Sequence, residues 1–183
     1  MHKLNFYFID DFDKDHIKNL PRNIAIIYRN YNQKHNEQNI LSIKKFCIAT
    51  RKKFYLANNI HLAKKLRLDG AYIPSFNKDL IIRRFKTKNF TLLGSAHNIK
   101  EINQKIRQKV DYLFISPIFK ISKKKDFLGI VKFNILAQKF NQNIVALGGI
   151  NKDNLKMINN MKDYSFASIS YIKNINKKNV RKY

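Results

Sequence analysis

Phe90-Thr91-Leu92-Leu93-Gly94-Ser95-Ala96-His97-Asn98-Ile99-Lys100-Glu101-Ile102-Asn103-Gln104-Lys105-Ile106, followed by Asp111-Tyr112-Leu113-Phe114-Ile115-Ser116, is the stretch from which the fold is read. Residues 90–94 and 112–116 are apolar, β-rich runs with no polar alternation, which suits parallel strands buried on both faces. Between them Ile99, Ile102 and Ile106 recur at helical spacing. Asn98 is placed to cap that helix, with Glu101 three residues on as its capping-box partner. A strand, a capped helix and a second strand make one crossover unit, the connection that parallel strands require.

The same unit repeats outward in both directions. Apolar runs recur at residues 5–9, 24–28, 54–57, 70–73, 144–147 and 165–170. Helix-period segments lie between them: Ile40, Leu41, Ile43, Cys47 and Ile48; Ile60, Leu62, Ala63 and Leu66; Val131, Ile135 and Leu136; and Leu155 with Ile158, opened by Asn151. Alternating strands and helices predict a parallel sheet with crossovers. Counting the runs at 90–94 and 112–116, eight units predict a (β/α)8 TIM barrel, lean for that fold at 183 residues. A doubly wound open sheet is the alternative. The chain holds 5 glycines and no Pro/Ser-rich boundary, so residues 1–183 are read as a single domain.

Composition excludes several classes. One cysteine, Cys47, rules out an internal disulfide and a four-cysteine zinc site, and its place on an apolar helix face makes it a core residue. The N-terminal apolar run is too short for a signal peptide, and no stretch is long and apolar enough to span a membrane. A cytoplasmic protein with no membrane partner is expected. The 37 Lys+Arg outweigh 12 Asp+Glu, for a formal charge of +25. The excess is spread along the chain and accompanied by abundant Asn and Ile, the residues of A/T-rich codons. It reads as compositional drift rather than a nucleic-acid surface, so nucleic acid is not expected as a partner. An anionic small ligand would still be attracted. A homo-oligomer is compatible with the composition.

In a (β/α)8 barrel the active site is built at the C-terminal ends of the strands. Four strand ends there carry chemistry. Leu147-Gly148-Gly149-Ile150-Asn151 closes the seventh run; paired glycines let an anion approach the backbone, and with Ile169-Ser170 after the eighth run they outline a phosphate site. Leu93-Gly94-Ser95-Ala96-His97 closes the fifth and places His97 at the mouth as the candidate acid–base residue; His2, His35 and His61 lack such a setting. Ser116-Pro117-Ile118-Phe119 closes the sixth, and its lysine run at 120–125 overhangs the same face, where it could close over an anion. Paired carboxylates for a metal are missing from the strand ends, apart from Asp10 and Asp11.

Taken in order, Asp69-Gly70-Ala71-Tyr72-Ile73, Leu93-Gly94-Ser95-Ala96-His97, Asp111-Tyr112 through Ser116-Pro117-Ile118-Phe119, Val145-Ala146-Leu147-Gly148-Gly149-Ile150 and Ala167-Ser168-Ile169-Ser170-Tyr171-Ile172 resemble the thiamine-phosphate synthase/TenI family. The resemblance implies a (β/α)8 barrel that binds a thiazole phosphate through Gly148, Gly149, Ile169 and Ser170, with Ser95. At the other substrate's end the chain departs from the synthases. Of the polar and basic residues that end the family's second strand only Arg29 is retained, with Ile27 and Tyr31 beside it. Asn58 and Asn77 stand where the synthases have the two aspartates that hold magnesium, and Pro74 replaces a glycine. In the loop after the sixth strand, Ile121, Lys123 and Lys124 occupy family positions and only Lys124 matches.

These departures make the TenI-like branch the expectation: a thiazole tautomerase in which His97 moves a proton without a metal or other cofactor. The alternative is a divergent synthase coupling the thiazole phosphate to a hydroxymethylpyrimidine diphosphate, with Mg2+ involved only in that case. A non-catalytic, ligand-binding barrel is the further alternative.

Overall fold

The computed structural model describes residues 3–31, 37–122, 126–161 and 164–175. Strands β1 (Asn5–Ile9), β2 (Ile24–Tyr28), β3 (Phe54–Ala57), β4 (Gly70–Ile73), β5 (Thr91–Ala96), β6 (Tyr112–Ile115), β7 (Asn143–Leu147) and β8 (Ser165–Ser168) follow one another around a closed barrel. Every neighbouring pair is parallel, including β1 with β8, where Phe6 pairs with Ala167 and Tyr7 with Ser168. The eight-unit reading is therefore correct, and the open sheet is ruled out. Helices α1 (Lys14–Lys18), α2 (Glu37–Ala49), α3 (Ile60–Lys65), α4 (Ile99–Arg107), α5 (Gly129–Ala137), α6 (Leu155–Asn159) and α7 (Ser170–Asn174) form the outer layer. The β4–β5 crossover carries a 3-10 helix, Ile81–Phe85, in place of an α-helix. Strand β8 ends at Ser168, so Ile169 caps α7 and Ser170 is its first residue, and neither belongs to the strand.

Side chains alternate across each strand, so one set fills the barrel and the other meets the helices. Inside lie Phe6, Phe8, Ala25, Ile27, Tyr55, Ala57, Tyr72, Leu93, Phe114, Val145 and Ala167. The strands are only four to six residues long, so each offers about two inward positions and large rings must occupy the space. Phe6, Phe8, Tyr72 and Phe114 pack edge-to-face or tilted, with ring centres 4.9 to 6.1 Å apart. Outside, Ile40, Ile43 and Cys47 of α2 are buried against the barrel, which places Cys47 in the core as expected.

Two helices turn away from the face their apolar pattern suggests. In α4 the buried residues are Ile102 and Lys105, and Ile99 is exposed. In α5 Phe133 and Ala137 are buried, whereas Val131 and Ile135 face outward. Among the described residues no helix is long and apolar enough to cross a membrane.

At the N-terminal end of the barrel, short polar side chains bind the open ends of neighbouring strands. Asp69, just before β4, accepts from Phe54 N–H at 2.9 Å and pairs with Lys53 at 2.6 Å. Asp111, just before β6, accepts from Leu92 N–H at 2.8 Å and pairs with Lys86 at 2.7 Å. Asn5 accepts from Phe166 N–H at 3.0 Å across the β1–β8 seam. In all three cases a side chain at one strand's start accepts the N–H of an adjoining strand that the staggered ladder leaves free. The physical role of Asp69 and Asp111 is thus to fix stagger.

Replacing Asp111 removes a charged acceptor from a half-buried amide. Hydrogen bonds to charged groups contribute about 1.5–3 kcal/mol, so Asp111→Ala is expected to lower the free energy of unfolding by about that amount in urea titration. An unchanged midpoint would show that water satisfies the Leu92 amide instead.

Candidate active site

The period of two that fills the barrel also determines what reaches its mouth. Continuing the inward positions one step past the strand ends gives Asp10 after β1, Arg29 after β2, His97 after β5, Gly149 after β7 and Ile169 after β8. Arg29 is half-buried, its backbone N–H donates to Ile9 O at 2.7 Å, and its guanidinium carbon lies 4.8 Å from the centre of the Phe8 ring. The cation thus rests on the aromatic floor of the barrel. Tyr72 and Ser95 complete that floor. Both are buried. Burial pushes the Tyr72 hydroxyl up to about 12, so it stays protonated as a hydrogen-bonding group. Tyr31 and Phe76 stack edge-to-face above, 6.0 Å between ring centres.

Asn58 and Asn77 are brought together. Asn58 follows β3 in a left-handed conformation, φ 56°, one that asparagine tolerates better than most residues. Its Oδ1 accepts from Asn77 Nδ2 at 2.8 Å, and Asn77 Oδ1 accepts from Asp79 N–H at 3.0 Å. Both amide oxygens are therefore already engaged, and neither carries charge. A hard divalent ion takes anionic oxygen ligands. The described residues contain no group of three His, Cys, Asp or Glu side chains that could hold a metal. The residues at this position do not fit the magnesium site that the family resemblance implies.

His97 immediately precedes Asn98, the N-cap of α4. Its backbone N–H donates to Glu101 Oε2 at 2.7 Å, while Asn98 Oδ1 accepts from Glu101 N–H at 2.9 Å. The capping box is present in altered form: the Glu101 carboxylate accepts from the His97 backbone N–H and from Asn98 Nδ2 at 3.2 Å, rather than from the Asn98 backbone N–H. The ring Nδ1 lies 2.8 Å from Ser116 O. A carbonyl only accepts, so Nδ1 is the donor, and in the neutral tautomer that this bond selects the lone pair is on Nε2. The imidazole is thereby oriented with its basic nitrogen free of that bond.

Gly148 and Gly149 have φ 94° and 71°. A Cβ on Gly149 would lie 2.6 Å from Phe119 O, and one on Gly148 would lie 2.9 Å from Ser116 Oγ. The β6 loop is tied along this turn by Ile118 N–H to Leu147 O at 2.9 Å and Phe119 N–H to Gly148 O at 3.1 Å. The glycines are thus required by the approach of a neighbouring loop, independently of any ligand. Ile169 and Ser170 lie beside them, exposed at the start of α7. Lys124 and Lys123 fall outside the described residues.

All the described candidates, Arg29, Asn58, Asn77, Ser95, His97, Gly148, Gly149, Ile169 and Ser170, share the C-terminal end of the barrel. The residues that sequence reasoning missed are the floor itself, Phe8 and Tyr72, and the Ser116 carbonyl that orients His97. The continuous apolar runs do not show which of their residues face inward, so the two rings were not singled out, and nothing local marked the carbonyl. A cavity of about 440 Å³ opens at the opposite end among Lys44, Lys52, Lys53, Arg67, Asp69 and Lys88. Several of its cations are committed to structural bonds: Lys44 to Leu66 O, Lys52 to Leu20 O and Pro21 O, and Lys53 to Asp69.

The Asn58–Asn77 contact places two side-chain termini close enough to chelate once both are anionic. Asn58→Asp with Asn77→Asp is expected to create magnesium binding that calorimetry detects and that the unmodified protein lacks without a diphosphate ligand. Equal binding by both proteins would place the ion elsewhere.

Comparison with known proteins agrees with the geometry. Residues 22–172 match the family model described as thiamine monophosphate synthase. The thiamine-phosphate synthase of Prochlorococcus marinus subsp. pastoris is 26% identical over 136 residues, covering 73% of this chain and 39% of that protein. That of Staphylococcus epidermidis is 29% identical over 128 residues, covering 67% and 59%. The chain thus spans 39% to 59% of the length of these relatives. Among solved structures, the thiamine phosphate pyrophosphorylase of Pyrococcus furiosus superposes with a TM-score of 0.70 at 16% identity, over 93% of this chain and 90% of that one. A KDPGal structure reaches 0.66 at 14% identity, over 90% and 82%; at such identities the likeness is one of fold. With a closed eight-stranded parallel barrel and a model match from before β2 into α7, the chain belongs to the thiamine monophosphate synthase family.

Proposed function

We propose that this barrel joins a thiazole phosphate to a pyrimidine diphosphate, the reaction for which its curated relatives are named. The observation that carries this reading is the two-ended mouth. Arg29, Asn58 and Asn77 follow β2, β3 and β4, while Gly149 and Ser170 follow β7 and start α7, on the far side of a closed eight-strand ring. Two phosphorylated ligands can be held at opposite rims, with their rings meeting over Phe8 and Tyr72. A one-substrate isomerase has no need of the first rim.

The coupling is a displacement at carbon. The thiazole nitrogen donates its lone pair to the methylene carbon of the pyrimidine, the C–O bond to the diphosphate breaks, and that electron pair leaves with the diphosphate. The thiazole nitrogen ends as a ring cation. No proton moves in the bond-forming step. What the protein must supply is alignment and compensation of the departing charge. Arg29 is the described cation best placed for the second task, held low in the mouth by Phe8. The aromatic floor suits flat heterocycles and shelters the reacting carbon from water. Asn58 and Asn77 can bind the diphosphate end through hydrogen bonds but contribute no formal charge.

The reading of the chain as a TenI-like thiazole tautomerase, expected from the sequence, is less well supported by the relatives' names. It keeps one specific observation in its favour: a neutral, mutually bonded Asn58–Asn77 pair together with a histidine whose basic Nε2 is left available. The two reactions demand different things of His97. Tautomerisation is proton transfer, to which a positioned acid–base group contributes about 10²–10⁴-fold; coupling is not.

Incubation with thiazole phosphate and hydroxymethylpyrimidine diphosphate is expected to form thiamine phosphate. Arg29→Ala should lower kcat/KM for the diphosphate by about 10- to 100-fold, the size of a lost charge-assisted hydrogen bond, and His97→Asn should leave coupling within about threefold. Absence of product, together with tautomer exchange that His97→Asn abolishes, would overturn the coupling reading in favour of the isomerase.

A further inference from the structure

The Lys105 side chain is an unusual core constituent. It is fully buried in α4, on the face that the helix turns to the barrel. Its ammonium donates to Pro74 O at 2.7 Å, Asn77 O at 2.8 Å and Gln108 Oε1 at 2.9 Å. An ammonium has three N–H donors, and all three are used. Gln108, also buried, adds Nε2 bonds to Asn77 O at 3.1 Å and Asp79 O at 2.8 Å. Gln104 reaches Lys78 O at 2.6 Å. Three side chains, at 104, 105 and 108, therefore hold four carbonyls of one loop, those of Pro74, Asn77, Lys78 and Asp79. Gly94 of β5 makes room for this: a Cβ there would lie 3.0 Å from Lys105 Cδ and 2.7 Å from Val110 Cγ1.

Stability alone does not account for a cation in this place. A buried charge costs desolvation, and an apolar residue of similar volume is often as stable or more so. Burial also pulls the Lys105 ammonium down to about 8, partly offset by Glu101, which is a sign of that cost. What the lysine does that an apolar residue could not is converge three bonds on one loop. That loop carries Asn77, whose side chain meets Asn58 across the rim.

We propose that Lys105, assisted by Gln108, is a positioning residue that fixes the loop after β4 from beneath, so that Asn77 meets Asn58 in register to receive the diphosphate-bearing ligand. The identity of that ligand rests on the coupling reading; the positioning itself does not. Lys105 does not touch the ligand. It sets the height and rotation of Asn77 by holding the Asn77 carbonyl from the core side, while Gly149 and Ser170 on the opposite rim are outside its reach.

Lys105→Met keeps the stem and removes the charge and all three bonds. Hydrogen exchange is the first readout. In this variant the amides of Asn77, Asp79 and Ile81, which bond within the loop, should exchange at least about tenfold faster, while that of Phe119 on the far rim should not change. The second readout is calorimetry with each ligand separately. Displacement of a binding group by about an ångström can cost on the order of 10²-fold, so affinity for the pyrimidine diphosphate should fall by about 10- to 100-fold while that for the thiazole phosphate stays within about twofold. If Lys105→Met fails to fold, Gln108→Ala, which leaves the ammonium in place, should show the same pattern with a smaller amplitude. Unchanged exchange in the loop, or equal losses at both rims, would overturn the proposal. If the unmodified protein binds neither ligand, the coupling reading fails, and the exchange pattern still decides the role of Lys105.

Discussion

Closure of the barrel depends on filling it. Eight strands of four to six residues can offer few inward side chains, and a parallel ring with an empty centre would lose the dispersion contacts that make interiors stable. The rings of Phe6, Phe8, Tyr55, Tyr72 and Phe114 meet this constraint. They turn a short-stranded cylinder into a solid plug, and by doing so they leave only the rim for chemistry. The floor of the candidate site is the top of that plug. A smaller residue at Phe8 would both open a cavity and remove the surface on which Arg29 rests.

The polar residues then divide by end. At the N-terminal end Asp69, Asp111 and Asn5 accept strand amides and set stagger. At the C-terminal end the same kind of bond holds loops rather than strands. His97 is tied to Ser116 O, Asn77 to Asn58, and the Pro74–Asp79 carbonyls to α4. The first group secures the architecture on which the second group places functional side chains. Gly148 and Gly149 belong to both, since their left-handed turn admits the β6 loop and also exposes backbone at the rim.

A formal charge of +25 shapes how such a site can operate. A strongly cationic protein concentrates phosphorylated ligands near every face by long-range attraction, so long-range charge need not select a binding position. Selection falls to the few groups that are ordered and close. Neutral Asn58 and Asn77 offer directed hydrogen bonds without adding to the field, and Arg29 is the described rim cation fixed by packing. Lys44, Lys52 and Lys53 of the N-terminal cavity, by contrast, are engaged by carbonyls and a carboxylate.

The sequence by itself determined the order of the eight strands, the end of the barrel at which the site lies, the Asn98–Glu101 cap and most of the rim residues. Each of these is a local property: strand runs, turn glycines and caps are written in neighbouring residues, and barrel closure follows once eight parallel units are recognised. The tertiary structure decided which face each helix buries. In α4 the pattern pointed to Ile99, Ile102 and Ile106, whereas the fold buries Ile102, Lys105 and Gln108 and exposes Ile99. Helical periodicity identifies residues that share a face, but not the partners that await them. A lysine on that face reads as solvated until carbonyls some thirty positions earlier are seen to converge on it. The same holds for the Asn58–Asn77 bond and the His97–Ser116 contact: each joins loops that are distant in the chain and adjacent only because the barrel closes.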